Sequence, residues 1–520
     1  MTRGKVMSSI AAISALFSAD KWSQNGEILD EYALALNGSR CRPAAIVWPE
    51  NDDDLLALVN AANQHHFSLH ILARGKNWGY GTAQAPSADH VIVNLMRMDK
   101  VLEVNEQDAY VRIQPGVTQA QLYEAVVDSE AALQLDITAA GNHTSVVGNV
   151  LERGFGHTNY SDRFGNVLSM RVLLPTGKII ETGMGAYQHS VAKHVYPYGI
   201  GPVIQGLFSQ SNLGIVLEMT LALQPTPEFT LNVLILCQSD ADAPKVVSEM
   251  ARLKQLGIVT SGVHTASMAR AMGAQARKVA GSWVITTTLS GPKSIAKARY
   301  REMKKALKTV VPNLRFIGLT QRRWNVIQWL NGYLKSPHIE GLKIVWDLKQ
   351  GVPTDDAIKT LLDDPSAHSQ MKTEEFPAYF RWVCAVTSSK TQDIERMLDI
   401  CRPLFAKFGY EDRYTMTNVT ERAVVLIANI RYEKTPASVA RAREFYKELD
   451  HALLEQGFCP YRSGSGLFED VRQFIDPNHL ELLGRLKYAV DPNQILSPGK
   501  YWSGSLQSQP VVEARETCVD

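Results

Sequence analysis

Short apolar runs separated by polar, Gly- and Pro-bearing turns fill the first 223 residues, and they predict small elements in quick succession. Residues 1 to about 40 read as a helix and then irregular chain. Ala44 to Pro49 is a strand, and the acidic stretch Asn51-Asp-Asp-Asp54 suits a helix start because it complements the helix dipole. Leu55 to His65 follows as helix and Phe67 to Leu72 as strand, a β-α-β opening. His90 to Leu95 alternates as a strand, and Val101 to Val104 with Ala109 to Ile113 form a hairpin around Asn105 to Asp108. Gln114-Pro-Gly-Val117 is a turn, and Thr118 caps a helix predicted over Gln119 to Ala132. Leu168 to Leu174 and Lys178 to Thr182 pair across Pro175-Thr-Gly177, and a further strand ends near Leu223.

Pro225-Thr-Pro227 marks a boundary, beyond which the elements lengthen. Strands at 230–236 and 283–289 frame helices at 243–255 and 294–309. Strands at 379–386 and 423–430 with helices at 391–408 and 438–456 repeat that outline, so the segment reads as an α+β domain of two similar halves. The shorter texture returns with the loop Tyr461-Arg-Ser-Gly-Ser-Gly466, a helix over Asn478 to Val490 and the closing run Asp491 to Lys500; Val511 to Asp520 reads as a tail.

Composition narrows the function classes. A chain of 520 residues with 45% hydrophobic and 21% charged residues is globular and holds two or three domains. A formal net charge of +1 gives no excess for holding nucleic acid or an anionic membrane. Six scattered cysteines without a CxxC pair predict reduced thiols in a cytoplasmic protein and neither a metal site nor a disulfide scaffold. Ile10 to Ala19 follows Arg3 and Lys5, but it is short and contains serines, and reads as an amphipathic first helix rather than a signal peptide.

Two loops carry candidate chemistry. In Ala73-Arg-Gly-Lys-Asn-Trp-Gly-Tyr-Gly-Thr82, Gly75, Gly79 and Gly81 alternate with large side chains, so the backbone can approach a ligand and point successive N–H groups at a phosphate. The stretch Leu135 to Asn149, rich in small and hydroxyl residues, is a second such loop, continued by Glu152-Arg-Gly-Phe-Gly-His-Thr158.

These loops, with LEVNEQDAYVRIQPGVT at 102–118, SVVGNVLERGFGHT at 145–158, LPTGKIIETGMGA at 174–186, YPYGIGPVIQGLFSQSNLGIV at 196–216, Tyr461-Arg462 and AVDPNQILSPGK at 489–500, resemble the vanillyl-alcohol oxidase / 4-cresol dehydrogenase family of FAD enzymes. The resemblance implies an α+β fold with a split FAD-binding domain, residues 1–223 and 461–520, around an inserted α+β cap at 224–460. It places the flavin's pyrophosphate on Arg74, Gly75, Lys76, Asn77, Gly79, Tyr80 and Gly81, and on Thr144, Ser145, Gly148 and Asn149. Further FAD contacts fall on Glu152, Gly156, His157, Gly214, Ile215, Arg462 and Lys500. Tyr80, Tyr461 and Arg462 match the family's phenolate anchor, a set that stabilises an anion by one charge-assisted and two neutral hydrogen bonds.

The sequence also departs from the family. The acid that assists catalysis falls on Ala139 or Ala140, which can exchange no proton. His157 replaces a family tyrosine and His143 a glycine; either histidine is a candidate acid or base. Asp136 reads as a partner for loop N–H groups, and Asp162 as a turn cap. Lys76 stands where a related histidyl flavin link would form, so FAD is expected to be noncovalent, with a tyrosyl link at Tyr379 as the alternative. The implied activity is an FAD-dependent oxidase acting on a small to medium aromatic or acidic alcohol, amine or benzylic substrate and returning electrons to O2, in a homo-oligomer. Alternatives are a dehydrogenase feeding an electron-carrier protein and a flavin fold with a binding or cyclising role.

Overall fold

Three main sheets divide the chain between a composite lower part and a single large roof. The computed structural model describes residues 10–272, 283–462, 464 and 467–501; part of the loop expected at 461–466 and the tail expected at 511–520 lie outside them. A four-stranded sheet runs in the order Trp22–Ser23, Ala45–Val47, His90–Asn94, Ser68–Leu72, its last three strands parallel. A five-stranded antiparallel sheet follows in the order Val101–Asn105, Tyr110–Ile113, Ile215–Ala222, Val167–Leu173, Ile179–Glu181. Residues 10–16 lie in the first helix, where Ile13 is buried while Ser14 and also Leu16 are exposed. No helix among the described residues is long and apolar enough to cross a membrane.

Local signals set most of these elements. Asn51 accepts from the N–H of Asp54 at the start of Asp52–His65, and Thr118 forms a capping box with Gln121. The helix opened by Thr118 ends at Asp128 rather than at Ala132. Glu130 adopts φ 57°, so the chain turns out of the helix and reaches Leu133–Gln134 in time to pair with Gln224–Pro225.

The third sheet is seven-stranded and antiparallel, in the order Arg315–Thr320, Phe229–Cys237, Trp283–Gly291, Val263–Ser267, Tyr414–Asn418, Ala423–Tyr432, Tyr379–Ser388. The expected two halves are visible in it: each runs strand, helix, strand, strand, helix, the first with the short helix Met268–Met272 added after its second strand, and the 263–267 and 414–418 strands join them. Its period-2 alternation gives the two faces different jobs. Val233, Ile235, Ile285, Val383, Met416 and Leu426 pack against Val247, Met250, Leu398, Phe405, Phe445 and Leu449 of the covering helices. The neighbours between them in sequence, including His264, Ala266, Thr286, Phe380, Trp382, Thr417 and Ile427, face the other way and roof a cavity.

The last described residues return to the first sheet. Leu69 donates to Ile495 and accepts from Ser497, each at 2.7 Å, so residues 495–497 lie against the 68–72 strand. Buried Asp491 holds this return in place by accepting from the N–H groups of Ile495 and Leu496 at 2.9 Å each and pairing with Lys487 at 2.6 Å.

Candidate active site

The Gly-rich turn is a tight loop: Thr82 and Tyr80 both donate to the Asn77 carbonyl, at 2.9 and 3.1 Å. Gly75, Gly79 and Gly81 have φ of 66°, 73° and 106°. A Cβ at Gly75 would lie 2.9 Å from that of Ala83. In the second loop, Ser145 Oγ accepts from the Gly148 N–H at 2.8 Å and donates to the Pro115 carbonyl at 2.6 Å. The two loops and the last described turn surround one cavity of about 1040 Å³, counting its open mouth. Its wall includes Arg74, Gly75, Lys76, Asn77, Thr144, Ser145, Gly148, Asn149, Glu152, Gly214, Ile215, Arg462 and Lys500. Residues before 223 and after 460 therefore share a cleft.

A second cavity, of about 1740 Å³ with its mouth, lies beneath the seven-stranded sheet. It shares Lys76, Asn77, Ala140, Asn149 and Arg462 with the first and adds Tyr80, Ala139, His157 and Tyr461. Arg462 sits at the junction. Its guanidinium lies 4.3 Å from the Tyr80 ring centroid, bonds Asn77 Oδ1, and approaches Glu152 at 3.5 Å. Lys500 approaches Glu152 from the other side at 3.7 Å, and the Tyr501 hydroxyl donates to it. Burial pushes the Glu152 carboxyl up, but Lys500, Arg462 and Tyr501 together hold it below the usual range, so it is ionised. Burial raises both phenols, Tyr461 to about 12 and Tyr80 well above 10, so both remain hydrogen-bond donors at neutral pH.

Four expected contacts line neither cavity. Tyr379 is on the wrong face of its strand: Phe380 and Trp382 face the cavity, whereas the Tyr379 ring packs against Tyr432 at 6.1 Å and beneath Lys434. Strand alternation thus turns it away from both cavities. Gly156 leaves room for Asp136, whose Oδ2 would be 1.8 Å from a Cβ there. Gly79 plays the same part for Trp382, at 2.5 Å, and neither glycine lines a cavity. Gly81 also stays out of both walls and serves the turn's geometry. Asp136 accepts from the Thr158 N–H and hydroxyl at 2.9 and 2.7 Å, as expected, and Asp162 accepts from the Gly165 N–H at 3.3 Å. His143 bonds Ser369 at 3.0 Å and lines neither cavity.

His157 is in the cavity wall, but its state differs from that expected of a neutral-pH proton carrier. Burial, reinforced by Lys349, lowers it to about 3, so it is neutral and weakly basic. It stacks on His264, ring centroids 4.2 Å apart, which burial and His157 also hold well below the usual value. Sequence reasoning missed His264, Arg270 and Lys349. They belong to no motif, and only the sheet's facing reveals that residue 264 points inward.

The first cavity fits FAD by its donor set. Arg74, Lys76, Arg462 and Lys500 line it against the single carboxylate Glu152, a net positive wall for a diphosphate. Glu152 Oε2 and Arg462 Nε, buried without a hydrogen-bond partner among the described residues, face each other as an ion pair at 3.5 Å. Comparison with known proteins agrees. The family of FAD binding domains matches residues 43–183. The chain is 28% identical to 1'-carboxy-chondrochloren decarboxylase of Chondromyces crocatus, across 88% of this chain and 90% of that one. It is 24% identical to the 4-cresol dehydrogenase [hydroxylating] flavoprotein subunit of Pseudomonas putida, across 96% of both. The structure of 4-ethylphenol oxidase from Gulosibacter chungangensis in complex with isoeugenol superposes with a TM-score of 0.85 at 26% identity, covering 96% of this chain and 97% of that one.

The purified protein is expected to be yellow. Gly75→Val places a branched side chain at φ 66° and against Ala83, and should lower the flavin-to-protein absorbance ratio at least about tenfold. A variant that retains a full flavin complement would show that this turn does not hold the cofactor.

Proposed function

The chain belongs to the vanillyl-alcohol oxidase / 4-cresol dehydrogenase family of FAD-dependent oxidoreductases, and from that premise we propose that it is an oxidase of para-substituted phenols. The observation that carries this reading is the junction cluster: Tyr80, Tyr461 and Arg462 meet where the two cavities join. Residues 1–223 with 461–520 act as the flavin domain and 224–460 as the cap. FAD, held noncovalently, supplies the hydride acceptor.

The chain's own residues bind and orient. Arg462 holds the phenolic oxygen as its anion, because a buried guanidinium stabilises a nearby negative charge. Tyr80 and Tyr461, protonated at neutral pH, donate to the same oxygen. Electron density from the phenolate weakens the C–H bond on the benzylic carbon of the para substituent. His157 and Thr417 line the space around that carbon, and His157 offers a neutral nitrogen rather than a charge. Ala139 and Ala140 leave their part of the wall without a carboxyl group. The family's acid-assisted step is therefore replaced by one in which the substrate's own anion neutralises the positive charge that develops on the benzylic carbon. The relatives' names support a phenolic substrate: one is a 4-ethylphenol oxidase and another a 4-cresol dehydrogenase.

The test is anaerobic mixing with 4-alkylphenols, followed by admission of air. Bleaching of the flavin absorbance and then stoichiometric hydrogen peroxide are expected. Bleaching without peroxide would transfer the electrons to a carrier protein, and no bleaching with any alkylphenol would reject the phenol reading.

A further inference from the structure

Arg270 is a cation in the wall of the second cavity that forms no ion pair among the described residues. It sits in the short helix Met268–Met272, directly after the 263–267 strand that carries His264. Its guanidinium lies over the Trp382 ring, 5.5 Å from the centroid. No carboxylate among the described residues lies within ion-pair distance of it. The nearest acidic group acting on it, Asp363, is already engaged by Arg413 at 3.4 Å and by Arg431. Three arginines thus surround one carboxylate, and only Arg270 of the three borders the cavity. Burial and its two neighbours lower the Arg270 guanidinium to about 10, as expected of an uncompensated charge, yet it stays protonated at neutral pH. An unpaired cation facing an enclosed space is costly unless a ligand completes it.

Its position ties it to the phenol end. Cys384 donates to the Arg462 carbonyl at 3.0 Å, and Trp382, under Arg270, is two residues along the same strand face. Arg270 and Arg462 both line the second cavity, so one ligand held there can meet both cations.

We propose that Arg270 binds a carboxylate carried on the para side chain of the substrate, so that the preferred substrate class is a 4-hydroxyphenyl-alkanoic acid rather than a neutral alkylphenol. The para placement rests on the phenol reading above; the unpaired charge does not. A planar guanidinium matches a carboxylate through two parallel hydrogen bonds, a geometry that lysine cannot reproduce.

The test measures binding to the flavin-loaded protein from ligand-induced changes in flavin absorbance. Three ligands are compared: 4-propylphenol, 3-(4-hydroxyphenyl)propanoate and 3-phenylpropanoate, which lacks the hydroxyl. The wild type should bind the carboxylated phenol about 10- to 100-fold more tightly than 4-propylphenol. Arg270→Met should erase that preference and the binding of 3-phenylpropanoate while leaving 4-propylphenol affinity within about twofold, and Arg270→Lys should restore part of it. Flavin content and thermal melting establish that each variant folds. A wild type without carboxylate preference, or an Arg270→Met protein that keeps it, overturns the proposal. If 4-propylphenol fails to bind but 3-phenylpropanoate binds in an Arg270-dependent way, the anion site stands and the phenol reading falls.

Discussion

Arg462→Met is expected to lower kcat/KM for a phenolic substrate by about 100- to 1000-fold, a loss of roughly 3–4 kcal/mol of transition-state binding. The reason lies in what the guanidinium joins. It is buried over the Tyr80 ring, bonds Asn77, and shares Glu152 with Lys500. Methionine fills much of the volume but leaves a substrate oxyanion with two neutral phenols. Glu152 keeps Lys500 and Tyr501, so the protein should still fold. Flavin content should fall far less than activity, because Arg462 is one of four cations around the first cavity. Arg462→Lys should recover part of the loss, since it keeps charge but not the planar fork. Steady-state kinetics beside the flavin-to-protein ratio decide the matter: an unchanged KM and kcat would remove Arg462 from substrate binding.

Acid should unfold the protein sooner than its composition suggests. His70, His157 and His264 are all buried with their pKa values lowered, chiefly by burial, and only in the unfolded chain do they sit near 6.5. Below pH 6.5 the unfolded state therefore binds protons that the folded state refuses. The stability difference shrinks as pH falls, and for His157 this continues down to about 3. Each such histidine contributes about 1.4 kcal/mol per pH unit, so the three together approach about 4 kcal/mol per unit well below pH 6.5. That is large against a total stability of about 5–15 kcal/mol. Buried Asp136 and Asp450, raised by burial, act in the opposite direction, so the histidines are isolated by difference. The midpoint of urea unfolding should drop steeply between pH 6.5 and 5. His157→Phe and His264→Phe should each reduce the slope by about one proton. A midpoint that does not move across this range would mean that the rings take up protons without unfolding.

The sequence was most informative where local chemistry decides structure. Asn51 and Thr118 cap helices, Gly75 and Gly177 adopt positive φ, and the two halves of the 224–460 segment announce themselves by strand and helix length. The Gly-rich turn, the 144–149 loop and Tyr461-Arg462 converge as their motifs imply. What could not be read depends on facing and burial. Tyr379 and Phe380 are adjacent aromatics, and only the pairing of their strand decides which one sees the cavity. His157 looks like a proton carrier in sequence, and burial removes that capacity. Arg270 belongs to no motif; its meaning comes from a single carboxylate shared among three arginines.

The return of residues 495–501 to the first sheet bears on how the holoprotein is made. Ser497 meets His70 across 427 positions of chain, and Lys500 and Tyr501 complete the wall that Gly75 begins. The two sides of that wall are separated in sequence by the whole roof domain, so the cavity is complete only when both ends of the described chain are folded together.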